Sequence, residues 1–189
     1  MNILRRALLS LALTAGIVFA PCVSAQQAGT QPATGHFAPD FTLQSVDAKA
    51  INLGQFRGKV VVIHFAATWC PFCNAEAPHL EKLSQRYKDK DVQVLIIDVK
   101  ETREEAEKMV RKFGLSFPVL MDTDGSVATS YAPPKTVLPD LTRDEVMIAS
   151  NLIIDRQGKI RFFSVLDTTK FDAKLIALQK RLDQVLATQ

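Results

Sequence analysis

The feature that most constrains this chain is a pair of cysteines two residues apart, in Trp69-Cys70-Pro71-Phe72-Cys73. The pair follows an apolar run, Val60-Val61-Val62-Ile63-His64-Phe65, and opens a stretch with helical spacing. Two cysteines at that spacing can close a small disulfide ring and reopen it by thiolate attack. A helix N-terminus offers unpaired backbone N–H groups and the positive end of the helix dipole, and both favour a thiolate on the first cysteine. Strand, cysteine pair, helix is therefore an order that serves redox chemistry. The competing reading is a structural staple, but a ring this small gains little loop entropy and is easily strained.

The start of the chain reads as an export signal. Arg5 and Arg6 supply a positive region, Ala7 to Ala20 carries no charge, and Val23-Ser24-Ala25 suits cleavage after Ala25. The apolar run is short for a membrane span of about 20 residues. Residues 1–25 are thus expected to be a cleaved signal and the mature protein to be periplasmic. Cleavage removes two basic residues and no acidic one, taking the net charge from +3 to +1. No strongly basic surface is implied, which argues against a nucleic-acid partner. Cleavage also removes Cys22, leaving only Cys70 and Cys73, too few for a disulfide scaffold.

Residues 26–36, rich in Gln, Gly, Thr, Pro and Ala, read as a flexible tether, and residues 37–189 as one domain. Phe41 and Leu43, then Ile51 and Leu53, alternate with polar residues and predict a β-hairpin. Val60 to Phe65 predicts a buried strand, Cys73 to Tyr87 a helix kinked by Pro78, and Val92 to Val99 a second buried strand. Thr102 caps a helix that runs to Phe113 and ends at Gly114. Phe117 to Met121 predicts a short strand and Val127 to Tyr131 a brief helix. Asn151 to Asp155 and Ile160 to Val165 predict a hairpin, and Phe171 to Leu186 a closing amphipathic helix. Two strand–helix–strand crossovers imply parallel strands with helices on the sheet faces, and the late hairpin adds antiparallel ones.

Several segments together resemble one family. Ala38-Pro39-Asp40-Phe41-Thr42-Leu43 opens the domain, and Gly58-Lys59-Val60-Val61-Val62 leads to Ala67-Thr68-Trp69-Cys70. Cys70-Pro71-Phe72-Cys73 is followed by Glu76, Pro78 and Leu80, and Phe117 to Asp122 and Asn151 to Lys159 complete the pattern. Over residues 37–187 the chain resembles the exported thiol–disulfide oxidoreductases of the TlpA, ResA and CcmG type, within the wider redoxin group. The resemblance implies an α/β thioredoxin-like fold. Its central mixed β-sheet would be flanked by helices, with an N-terminal β-hairpin extension and an insertion before the penultimate strand. It further implies a reductase of protein disulfides, with apocytochrome c among its substrates and a membrane thiol electron donor of DsbD or CcdA type. No cofactor and no metal are implied. The chain departs from the pattern at Ala66, where Trp is usual, and at His64, where Asn is common. The slot of the usual cis-proline, counted back from Asp155, holds Ala149, and residues 132–147 look inserted.

Cys70 is the expected nucleophile and the more exposed sulfur; Cys73, one turn on, is placed to resolve a mixed disulfide. Glu76, three residues beyond Cys73, is expected to carry a proton for a thiol, against the alternative of a solvated glutamate. Trp69 and Phe72 would form an apolar rim for substrate, and Ala149 a backbone contact. His64 reads as a hydrogen-bonded strand residue or as a proton carrier. Alanine at 149 leaves two options: thiols more open to soft metals, or cover supplied by the insertion. Lys135, Asp140, Arg143, Asp144 and Glu145 of that insertion select partners or form a solvated loop. Two other functions stay open, a peroxiredoxin-like peroxidase and a metal-binding chaperone using Cys70 and Cys73.

Overall fold

A computed structural model describes residues 34–134 and 139–188. The signal read over residues 1–25, residues 26–33 of the tether, and Lys135 lie outside the described residues. A seven-stranded mixed sheet forms the centre, in the order β2-β1-β5-β4-β3-β6-β7. Its strands are β1 (Thr42–Ser45), β2 (Ala50–Asn52), β3 (Val60–Ala66), β4 (Val92–Val99), β5 (Val119–Asp122), β6 (Ser150–Ile154) and β7 (Ile160–Ser164). The helices are α1 (Pro71–Tyr87), α2 (Arg103–Phe113), α3 (Ser126–Tyr131) and α4 (Ile176–Ala187), with single 3-10 turns at Leu53–Phe56 and Glu145–Met147.

The strand β3 lies parallel to β4 and antiparallel to β6. With neighbours on both edges and helices on both faces, all seven of its residues are buried, which is why it reads as an unbroken apolar run. Alternation splits the strand between two cores. Val60, Val62 and Ala66 join Leu80 and Leu83 of α1, Met109 of α2 and Leu178 and Leu182 of α4. Val61, Ile63 and Phe65 face the other way, onto Phe41, Leu53, Tyr131 and Met147. His64 shares the parity of Val62 and Ala66 and therefore points to the side of α1.

Most elements follow the sequence expectation. Thr102 forms a capping box with Glu105, and Gly114 ends α2 with a left-handed φ of 61°. The closing helix differs: it starts at Ile176, not Phe171. Leu175 has a φ of 56°, a left-handed conformation that no helix accommodates, and the Asp172 carboxylate accepts the Ala177 N–H of the first turn. Residues 165–175 are consequently a loop. Apolar periodicity alone cannot separate such a lead-in from the helix behind it.

The described part of the insertion is anchored to the body. The Arg143 guanidinium donates to the carbonyls of Thr129, Ala132 and Pro133, at 3.0, 2.9 and 3.0 Å, and so satisfies the end of α3. Asp144 pairs with Lys100 at 2.6 Å, and Glu145 accepts from the Thr142 backbone and hydroxyl. Arg143, Asp144 and Glu145 thus hold the segment down. Asp140 is exposed.

Candidate active site

The sequence places two thiols at the start of α1, and the structure shows why that position matters. Cys70 is the N-cap, with an extended backbone (φ −76°, ψ 116°), and Pro71 takes the first helical position, where a missing N–H costs nothing. The Cys73 N–H donates to Cys70 Sγ at 3.2 Å. Both cysteines are free thiols. The hydrogen bond from the Cys73 thiol, helped by the backbone N–H groups of Cys73 and Phe72, pulls the Cys70 thiol down to about 7 against the effect of burial. The same sulfur–sulfur contact and deeper burial push Cys73 far up. Cys70 therefore ionises first.

Cys70 is the more exposed sulfur, as the sequence suggested, but only narrowly. It is 3% exposed and Cys73 2%. Both sit in the apolar cluster that includes Ala66, Ala67, Ala149 and Leu175, with Phe72, Ile148 and Leu166 packed against it. Ile148, just after the insertion, packs against the same cluster. Trp69, by contrast, is 67% exposed beside Cys70. Phe72 is half-buried and meets Phe171 edge-on, 4.8 Å between centroids.

Ala149 lies at the end of the loop that enters β6. It is buried, its φ is 63°, and its N–H donates to Phe65 O at 2.8 Å. No cis peptide bond occurs among the described residues. The proline slot is thus occupied by a left-handed alanine whose N–H is already committed to β3.

Glu76 is buried, not a solvated helix residue. Desolvation pushes its carboxyl up to about 8, opposed by the hydrogen bond from Asn151 and aided by the charges of Cys70 and Asp172. Asn151 Nδ2 lies 3.2 and 3.3 Å from the two Glu76 oxygens. His64, fully buried, places Nδ1 3.1 Å from Asn151 Oδ1 and 3.4 Å from Glu76 Oε2. Burial pushes the imidazole down to about 4. Glu76, Asn151 and Ala149 form the floor of a groove walled by Leu166, Phe171 and Asp172 of the 165–175 loop.

A second polar group underlies the approach to Cys70. Glu101 accepts the Thr68 N–H and, at 2.6 Å, the Thr68 hydroxyl. Asn74 Nδ2 donates to Thr68 O and to Cys70 O, at 2.8 and 2.9 Å. Behind Glu101 lies Asp98, fully buried, whose carboxyl is pushed up to about 8 by burial and by Glu101.

Sequence spacing put Cys70, Cys73 and Glu76 together, at the N-cap and in the first turns of one helix. It did not bring Asn151, Asp98 or Glu101 to the site, because strand pairing and the β4–α2 turn do that. A signal was present: His64, Asp98 and Asn151 are buried polar interruptions in strands that are largely apolar.

Comparison with known proteins agrees with this geometry. The profile of the AhpC/TSA family matches residues 34–163. The thiol-disulfide oxidoreductase ResA of Geobacillus thermodenitrificans is 32% identical over 145 residues, 77% of this chain and 76% of its own length. The ResA of Bacillus thuringiensis subsp. konkukian is 32% identical over 126 residues, 67% of this chain and 66% of that protein. Among solved structures, a Bacteroides thetaiotaomicron protein described as a candidate protein disulfide isomerase superposes with a TM-score of 0.69 at 30% identity. That alignment covers 82% of this chain and 91% of the other.

Proposed function

The chain belongs to the AhpC/TSA family and is a thiol–disulfide oxidoreductase of thioredoxin-like fold, and we propose that it works through a reversible Cys70–Cys73 disulfide and acts as a reductase of protein disulfides. The observation that carries this reading is the N-cap position of Cys70, with its thiol drawn to about 7 by Cys73. Its thiolate attacks a substrate disulfide, forming a mixed disulfide and expelling one substrate thiolate. Cys73 then loses its proton to the Glu76 carboxylate and attacks Cys70 Sγ. The second substrate thiolate leaves, and the Cys70–Cys73 disulfide remains. A carboxyl poised near neutrality can take and return a proton in both directions of this exchange. Trp69, exposed at the rim, is the docking surface for a polypeptide, with Phe72 and the backbone at Ala149 beside it.

The reducing direction is what the resemblance to the TlpA, ResA and CcmG type implies. It calls for a membrane thiol donor of DsbD or CcdA type, and apocytochrome c is one substrate it would suit. A periplasmic site, after signal cleavage following Ala25, fits that supply. The equilibrium reduction potential, read from Trp69 fluorescence in dithiothreitol or glutathione buffers, tests the direction. A value near −270 mV, roughly that of thioredoxin, is expected. A value near −120 mV, roughly that of a strong oxidant, would reverse the assignment to a disulfide donor. Glu76→Gln should flatten the pH dependence of the Cys73 step near pH 8; an unchanged profile would remove Glu76 from the cycle.

A peroxidase is the second reading, favoured by the AhpC/TSA profile. Against it, the Thr68 hydroxyl near Cys70 donates to Glu101. Hydrogen peroxide consumption by the reduced protein separates the two.

A further inference from the structure

His64 has no part in the cycle above, yet it is fully buried in the middle of β3. Burying an imidazole costs free energy unless its nitrogens are bonded. Nδ1 faces Asn151, and the Ser150 backbone also acts on the ring, whereas Nε2 has no partner of hydrogen-bond geometry among the described residues. The antiparallel register sets His64 opposite Asn151, so both side chains leave the sheet on the side of α1, where Glu76 lies.

The three groups form a directed chain. For Asn151 Oδ1 to accept from His64 at 3.1 Å, Nδ1 must carry the hydrogen, which leaves Nε2 a bare acceptor. Asn151 then has its amide nitrogen free for the Glu76 oxygens at 3.2 and 3.3 Å. Turned over, the amide would present Oδ1 to Glu76 and favour the protonated acid. The partner that decides between the two orientations is the imidazole.

We propose that His64 is a positioning residue for Glu76, acting through Asn151: it fixes the amide so that its NH2 faces the carboxyl. This rests on the reading of Glu76 as the proton carrier, and assigns the pair that sets its proton affinity. Glu76 is also faced by Cys70 and Cys73 from its own helix and by Asp172 from the 165–175 loop, and Lys170 lines the same groove. Those groups are untouched by changes at 64 and 151. His64 stays neutral where Glu76 titrates, so it acts by hydrogen bonding, not by charge.

The test is a carboxyl-carbon NMR titration of the reduced protein, with Glu76→Gln assigning the resonance. Asn151→Leu removes the donor and should raise the Glu76 midpoint by about one pH unit, tenfold in proton affinity. His64→Leu should raise it by about half a unit or more. Added to Asn151→Leu, it should do nothing further. His64→Gln, which keeps a donor for Oδ1, should restore the original midpoint. His64→Met lacks a donor, fits the same slot and carries the same expectation if the leucine variant does not fold. No shift in the donor-less variants would overturn the proposal. So would the same shift with and without Asn151, which would mean direct action across the 3.4 Å contact. The titration needs no substrate. Failure of the proton-carrier reading would appear elsewhere, as a Glu76→Gln pH–rate profile that does not change.

Discussion

Ala149 pays for its position in backbone strain. A left-handed φ of 63° costs an L-residue roughly 1–2 kcal/mol. Ala149→Gly should therefore stabilise the fold by up to about 1 kcal/mol, measured by urea denaturation. Ala149→Pro should do the opposite, by about 3 kcal/mol. Proline cannot adopt that φ, and it removes the N–H held by Phe65 O. Asp98 carries a different cost. Its carboxyl pKa is raised to about 8, against 3.8 for an ordinary aspartate. An acid with a raised folded pKa stabilises the fold fully only below its unfolded pKa, so Asp98 costs stability as pH climbs from about 4 to about 8. Asp98→Asn, which removes the titrating carboxyl, should gain in melting temperature over the native protein between pH 5 and pH 9. A constant difference across that range would mean that Asp98 is ionised in the fold at all these pH values. Cys70, Cys73 and Glu76 were legible in the sequence because one helix spaces them. The partnerships of His64, Asn151 and Asp98 were not, since each depends on which strands become neighbours.

At the scale of elements, the strands of the sheet were legible because buried strands read as apolar runs and hairpin strands alternate. The start of α4 was misread because Phe171 and Leu175 continue its apolar spacing, and a left-handed Leu175 leaves no periodic mark. The error had a functional consequence: the residues taken for a first helical turn are the loop that walls the groove over Glu76. The insertion shows the converse. Its charges suggested a partner surface, but the Arg143 side chain spends its donors on three carbonyls at the end of α3. Arg143→Ala should destabilise the domain by about 1–3 kcal/mol by leaving those carbonyls without their partner. It should also speed amide exchange at Met147 and Ile148, whose N–H groups bond within the adjoining turn. A variant of native stability with unchanged exchange would show that the anchor is dispensable.

At the scale of the molecule, the parts serve one arrangement. A sheet buried on both faces ends β3 at the mouth of α1, so the chain must turn there, and the turn carries Trp69 and Cys70. The helix supplies the N–H groups that favour a thiolate, and the next turn brings Cys73 and then Glu76 beneath it. The order of elements alone implied this topology, whereas the cover over the thiols came from long-range packing that no local pattern encodes. The proposed cycle requires that Cys70, not Cys73, is the sulfur that meets a substrate. Trapping with oxidised glutathione on single-cysteine variants tests it most directly. Cys73→Ser should form a stable mixed disulfide on Cys70, at a rate that rises with pH as the Cys70 thiol ionises. Cys70→Ser, with its remaining thiol buried and its pKa raised, should react far more slowly at every pH up to 9. Equal rates for the two variants, or a faster adduct on Cys73, would contradict the account.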